Sequence, residues 1–310
     1  MLSAVQHSKS LRSLSLSTVH LDTPLKQDLL AGFLGCSGTT LTKVTLAENQ
    51  LTNLDNLFSQ MHLNKTLKEI HIINQSYFRT ESETMREETF YLTPKATKEN
   101  KTLEKLSISL GMMKTIKPLI KCFCTFTRLK EFSLSNVDLC SKLHFMTIDN
   151  YLISNQSLAK LTLSNVKMGY DQFMILAGTI RNSRKLRSLN LSSNQLRNQG
   201  CIEVANVLLT NSTLQSLNLD NNDIKEAGLV ALLKVLKDNH TLVKLRLENN
   251  KFMLSRQLLG FLGDVFVYHN RSLTHLTMTS LGKSSILRKE QEEGNEFDRD
   301  MVVNFMQEMQ

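Results

Sequence analysis

Eight histidines, five cysteines and 29 carboxylates are the side chains from which this 310-residue chain could build a reactive site. A metal centre needs such ligands at short, fixed spacings, and an activated nucleophile needs a base within hydrogen-bond reach. His7, His20, His62, His71, His144, His240, His269 and His275 are instead scattered, none at a spacing that would form a site with Cys or Asp. Cys122-x-Cys124 lacks a second ligand pair, which argues against zinc. No G-x-S-x-G, H-E-x-x-H, glycine-rich phosphate loop or Cys-x-x-Cys occurs. The expectation is a chain that is not an enzyme, with no cofactor, no metal and no small-molecule substrate.

The cysteines Cys36, Cys122, Cys124, Cys140 and Cys201 are odd in number and mostly replace apolar residues, so they read as free buried thiols of a reducing compartment. No apolar run reaches the roughly 18 residues that span a bilayer. The N-terminus lacks the apolar core of a secretory signal. A cytoplasmic protein without a transmembrane segment is expected.

Asparagine is the other informative residue. Asn-x-Ser/Thr occurs at Asn64, Asn74, Asn100, Asn155, Asn190, Asn211, Asn239 and Asn270. Six of these (64, 100, 155, 211, 239 and 270) stand three residues before a leucine that opens a recurring pattern. Their register favours punctuation over glycosylation: a turn closing a helix, where Asn tolerates the left-handed conformation.

The pattern that positions these residues is clearest at Leu186-Arg-Ser-Leu-Asn-Leu-Ser-Ser-Asn194-Gln-Leu196. It returns from Leu214 to Ile224 and from Leu242 to Phe252, each copy 28 residues after the last. Alternating leucines predict a short strand, and the apolar period of 200–208 and 228–236 predicts a helix after it. Such a unit cannot bury its own apolar face, so units must stack. Asn194, Asn222 and Asn250 are expected to turn inward and satisfy backbone groups left inside the stack. Degenerate copies open at Leu11, Leu41, Leu67, Leu103, Leu129, Leu158 and Leu273, making ten starts.

This L-x-x-L-x-L-x-x-N-x-L pattern, at a repeat near 28 residues, resembles the ribonuclease-inhibitor class of leucine-rich repeats. That class includes the sensor ends of NOD-like receptors, Ran GTPase-activating protein and the capping domain of tropomodulin. The resemblance covers residues 2–281 and implies an α/β leucine-rich repeat solenoid. In that horseshoe, about ten strand–helix repeats place parallel strands on the concave face and helices on the convex face. Residues 2–11 align with 233–242, so the solenoid, 1–281, starts within a repeat helix. The longest interval, 73–102, carries an insertion. A polar loop and a C-terminal capping helix, bearing Met301, Val302, Phe305, Met306 and Met309 on one face, are expected in 282–310.

Charge divides unevenly along the chain. Residues 1–100 hold 10 basic and 10 acidic side chains, residues 101–200 hold 15 and 5, and residues 201–310 hold 12 and 14. Within the basic middle third, Lys114, Lys117 and Lys121 share a helix face, and Arg181, Arg184 and Lys185 cluster at a helix end. On the strand face, Lys43, Glu69, Lys105, Glu131 and Lys160 alternate in sign, as do Lys68, Glu104 and Lys130. Adjacent strands should let these charges neutralise one another. Asn190, Asn218, Asp220, Lys244, Arg246 and Glu248 lie outside that alternation and are the concave candidates for partner binding. The basic block lacks interleaved aromatics, which disfavours sequence-specific nucleic-acid binding.

The functional expectation is a non-catalytic protein–protein interaction scaffold whose partner is another protein with an acidic surface. The resemblance adds two alternatives: a GTPase activator similar to Ran GTPase-activating protein, and the ligand-sensing fragment of a NOD-like receptor.

Overall fold

A computed structural model describes residues 8–36, 38–49, 51, 57–58, 60–73, 99–113, 126–139 and 141–279. Most of the 73–102 insertion lies outside the described residues, as do Lys114, Lys117, Lys121, Cys122, Cys124, Cys140 and the expected loop and helix of 282–310. Two compact units are present. The first comprises Met1–Asp138 with Ser154–Ser157, and the second Leu139–Ile153 with Leu158–Gln310.

In the first unit the strands are β1 (Ser13–Ser17), β2 (Lys43–Ala47), β3 (Glu69–Ile73), β4 (Lys105–Met113) and β5 (Glu131–Val137). Each pairs in parallel with the next, in chain order. Helix α1 (Pro24–Gly35) follows β1, and a 3-10 turn, Met61–Leu63, precedes β3. Thr23 caps α1 by accepting the Lys26 N–H at 3.4 Å, and Pro24 fits the first turn, where no N–H is needed.

In the second unit helix α2 (Lys142–Ser154), whose last residue alone belongs to the first unit, precedes β6 (Lys160–Ser164), and α3 (Tyr170–Asn182) follows that strand. Then come β7 (Ser188–Asn190), α4 (Arg197–Leu208), β8 (Ser216–Asn218), α5 (Glu226–Leu236), β9 (Lys244–Leu247), α6 (Arg256–Asp264) and β10 (His275–Met278). A single turn of π-helix, Val265–His269, continues α6. Strands β6 to β10 also pair in parallel in chain order.

The alternating leucines explain the layering. In β7 to β9, Leu189, Leu217 and Leu245 point into the core while their neighbours in β7 and β8 stay half exposed. On the helices, Val204 and Leu208 of α4 and Leu232 and Leu236 of α5 supply the other wall of that core, and all four are buried. Burying one such leucine contributes roughly 1.5–3 kcal/mol, and no single repeat supplies both walls of its core.

Two columns of buried asparagine bind repeat to repeat. At the ninth position, the Asn222 amide donates to the Leu191, Leu219 and Asp220 carbonyls at 2.9, 3.1 and 3.1 Å. Asn194 and Asn250 make the equivalent bonds, and Asn49 reaches the Leu16 carbonyl at 2.7 Å. The inward role expected of these residues is what the structure shows.

The second column is formed by the helix-end asparagines, and here the reason differs from the sequence expectation. Asn64 and Asn270 are extended, at φ −73° and −92°, and none of the six is left-handed. Each is buried. The Asn239 oxygen accepts the Thr241 and Leu242 N–H groups at 3.1 and 3.0 Å, and its amide reaches back to the Leu208 carbonyl at 2.8 Å. Asn211 and Asn270 repeat this toward Ile180 and Leu236. A left-handed residue recurs instead at the eighth position of the repeat. Thr18, Glu48, Asn136, Asn165, Ser193, Asn221 and Asn249 stand there at φ between 52° and 57°. Short polar side chains predominate because they tolerate that conformation best.

Candidate functional site

The expected strand-face candidates divide once their partners are known. The Asn190 side-chain oxygen accepts the Ser192 N–H at 2.9 Å, and Asn218 does the same for Asp220 at 2.8 Å. Both therefore brace their own strand ends. Asp220 is buried, although its place on the strand face predicts a surface group. Its carboxylate accepts from Arg246 Nε at 2.8 Å and from the Glu248 N–H at 2.7 Å. The Arg246 guanidinium also donates to Glu248. The three charged residues thus form a compact network between β8 and β9 in which Arg246 is already held by two carboxylates. Lys244 begins β9 beside Ser216 and is half exposed.

The alternating charges meet as the parallel register requires. Glu69 lies between Lys43 and Lys105, at 3.4 and 3.7 Å, and Lys105 also reaches Glu131 at 3.3 Å. Lys130 contacts Glu104 at 2.8 Å. Burial pushes the Glu69 carboxyl up, but the Lys43 hydrogen bond and the Lys105 and Lys43 charges outweigh it, leaving the carboxyl below its ordinary range. Glu104 is lowered first by its hydrogen bond to Lys130. The first unit's strand face thus neutralises much of its own charge.

The second unit differs at the edge where each helix turns into its strand. That edge consists of residues 158–160, 183–188, 211–216, 239–244 and 270–275. It carries Lys160, Arg184, Lys185, Arg187, Lys244 and Arg271, with His240 and His275, and no carboxylate at all. The ladder fixes their order: the Arg187 N–H bonds the Ala159 carbonyl at 2.8 Å, and Lys160 pairs with Ser188. Lys160, Arg184, Lys185 and Arg187 are exposed, and their side chains form no ion pair among the described residues. Arg181, expected with this cluster, is drawn away instead. Its guanidinium donates to Glu203 on α4 at 2.9 Å, and Glu203 is largely buried. The cluster expected from sequence includes Arg184 and Lys185 but omits Arg187 and Lys160 as their neighbours. Comparing edge positions repeat by repeat, rather than counting charge by thirds of the chain, finds them.

A depression of about 390 Å³ on the opposite edge is lined by Arg197, Asn198, Gln199, Asp223, Lys225 and Lys251. Its polar groups are substantially engaged. Lys251 pairs with Asp223 at 2.8 Å, and the Asn198 oxygen accepts the Lys225 N–H at 2.9 Å. Cys201 is buried under α5, donating to the Gly228 carbonyl at 3.4 Å, and burial pushes its thiol far above the ordinary range. A thiolate nucleophile is therefore not available there at neutral pH. Among the described residues no group of His, Cys, Asp or Glu is arranged to hold a metal ion, and no helix is long and apolar enough to cross a membrane.

A family model described as Leucine Rich repeat matches residues 182–205 and 210–233. Among solved structures, the tropomodulin C-terminal domain of Caenorhabditis elegans is similar at 18% identity and a TM-score of 0.39, over 45% of this chain and 83% of that one. Leiomodin-1 actin-binding site 2 is similar at 14% identity and a TM-score of 0.39, over 64% of this chain and 95% of its own. No curated protein matches the sequence. The repeat architecture rests on the strand order, the 28-residue register and the two asparagine columns.

Proposed function

We propose that this leucine-rich repeat protein is a non-catalytic interaction scaffold and that its second unit binds an acidic segment of another protein along the basic edge. The observation that carries the reading is the set of four exposed cations, Lys160, Arg184, Lys185 and Arg187, with no carboxylate at any edge position of the unit. In the first unit the same positions include Glu69, Glu104 and Glu131, which pair with lysines on neighbouring strands. Uncompensated like charge costs self-repulsion, and an anionic partner relieves it. No Phe, Tyr or Trp occurs at these edge positions, so bases would find no large stacking platform, and a protein carboxylate segment fits better than single-stranded nucleic acid.

The test uses the full chain and a fluorescein-labelled dodecapeptide of alternating Asp and Glu, read by fluorescence anisotropy. The triple variant R184E/K185E/R187E should weaken binding at least tenfold with an unchanged far-UV circular dichroism spectrum. Raising ionic strength from 50 to 300 mM should weaken wild-type binding as well, because exposed charges are screened. Equal affinity of wild type and the reversal variant would overturn the reading. Tighter binding of an oligonucleotide than of the peptide would replace the partner class.

A further inference from the structure

The cations of the basic edge are not spread evenly along the second unit. The repeats of β6 and β7 contribute Lys160, Arg184, Lys185 and Arg187, and those of β9 and β10 contribute Lys244 and Arg271, beside His240 and His275. Between them the β8 repeat brings only neutral side chains to the edge, from Asn211 to Ser216. We infer that the edge is a two-pole site for an extended segment of a partner protein that crosses the strands at their entry, with acidic residues four apart and neutral residues between them. The inference rests on the proposed use of this edge and concerns which acidic segments it accepts.

Three observations support the two-pole reading. First, the parallel ladder sets the third-position residues of successive repeats side by side. Lys160 pairs with Ser188, Ser188 with Ser216, Ser216 with Lys244, and Lys244 with His275. Lys160 and Lys244 are therefore three strand steps apart, about 14 Å at the usual strand separation. Arg187, entering β7, and Arg271, before β10, are separated by the same three steps. Second, in an extended chain residues i and i+4 point to the same side and lie about 13–14 Å apart, which matches that separation. Residue i+2 then falls over Ser188 and Ser216, whose half-exposed positions suit a neutral polar side chain. Third, the poles are unequal. The first has four exposed cations, whereas the second has exposed Arg271 and half-exposed Lys244, with exposed Asp238 one residue before the edge begins. Screened surface contacts at the weaker pole contribute little alone. Joined to the stronger pole by one chain they act at high effective concentration, and that gain is lost when the spacing forbids both contacts.

The experiment titrates the full chain with three fluorescein-labelled dodecapeptides of equal charge in a Ser/Gly background, read by anisotropy at 50 mM salt. Each carries four glutamates: as two doublets whose first residues are four apart, as two doublets eight apart, or as one contiguous run. The four-apart peptide should bind at least threefold more tightly than either of the others. The variant K244E/R271E should erase that preference with an unchanged far-UV circular dichroism spectrum. Ser216→Lys should tighten the contiguous peptide at least threefold, because it fills the neutral gap at a register position that holds lysine in the strands of Lys160 and Lys244. Equal affinity of wild type for the three peptides, or a preference that survives K244E/R271E, overturns the inference. If R184E/K185E/R187E still weakens all three peptides in that case, the binding reading survives it. If that charge reversal has no effect, the binding reading is what fails. Tighter binding of a single-stranded dodecanucleotide than of the four-apart peptide would overturn both and assign the edge to nucleic acid.

Discussion

The side-chain oxygen of Asn250 accepts the backbone N–H of Asn222 at 3.0 Å, so one ninth-position asparagine holds the backbone that orients the next. The Asn222 amide in turn reaches the Leu191 carbonyl one repeat earlier, at 2.9 Å. The column is thus a relay in which each side chain satisfies groups of two repeats, and its loss should be felt on both sides.

Asn222→Ala removes an amide that serves three carbonyls. Each buried polar group left unpaired costs about 1–3 kcal/mol, so a total loss of roughly 3 kcal/mol is expected after partial relaxation. Native-state hydrogen exchange should show the loss concentrated between residues 186 and 252, because repeats couple to their neighbours. Protection unchanged across that span would show that the column is not what ties these repeats together.

Two helix glycines should respond oppositely to alanine. A Cβ on Gly228 would lie 2.8 Å from Ile224 Cγ2 and 3.1 Å from both the Asn198 oxygen and the Cys201 Cβ. A Cβ on Gly260 would meet nothing within 4 Å. Helix propensity favours alanine by about 1 kcal/mol in either place. Overpacking costs about 1–3 kcal/mol and dominates at Gly228. Gly260→Ala should raise the urea midpoint and Gly228→Ala should lower it; the same sign for both would contradict the packing of α4 on α5.

The lowered Glu69 carboxyl gives the first unit a defined acid response. A carboxyl depressed in the folded state contributes stability that is fully present above its unfolded value, about 4.3, and lost as pH falls through the folded one. Lys43 and Lys105 are the cause that outweighs its burial. Glu69→Gln should therefore destabilise by about 1 kcal/mol at pH 7, with the gap to wild type closing below about pH 4. Urea unfolding at pH 7 and at pH 3 checks this, and a gap that widens on acidification would reverse the sign.

Arg246 and Arg184 should separate stability from binding. Arg246→Ala strands the buried Asp220 carboxylate, which is expected to cost about 3 kcal/mol. Because Arg246 is already held by two carboxylates, the affinity for an acidic peptide should change less than twofold under conditions where the variant remains folded. Arg184→Ala is exposed and should do the reverse: stability within about 0.5 kcal/mol of wild type and affinity reduced. Anisotropy titration and thermal melting of both variants give the comparison. Loss of binding only in Arg246→Ala would move the site onto the strand face.

Periodicity alone determined the repeat. Leucine spacing fixes which residues face the core, and the 28-residue interval aligns Leu189, Leu217 and Leu245 in neighbouring strands. It also placed Asn194, Asn222 and Asn250 inside, because a buried turn needs both donors and acceptors from one side chain. The fate of each charge was not local information. Asp220 and Arg246 are 26 residues apart, and only adjacent parallel strands bring them to 2.8 Å, turning two expected surface contacts into an internal pair. Arg181 was lost from the basic cluster for the same reason, through Glu203 on the next helix. What remains exposed as Lys160, Arg184, Lys185 and Arg187 is decided by which carboxylates stacking carries away, a property of the assembled repeats and of no single one.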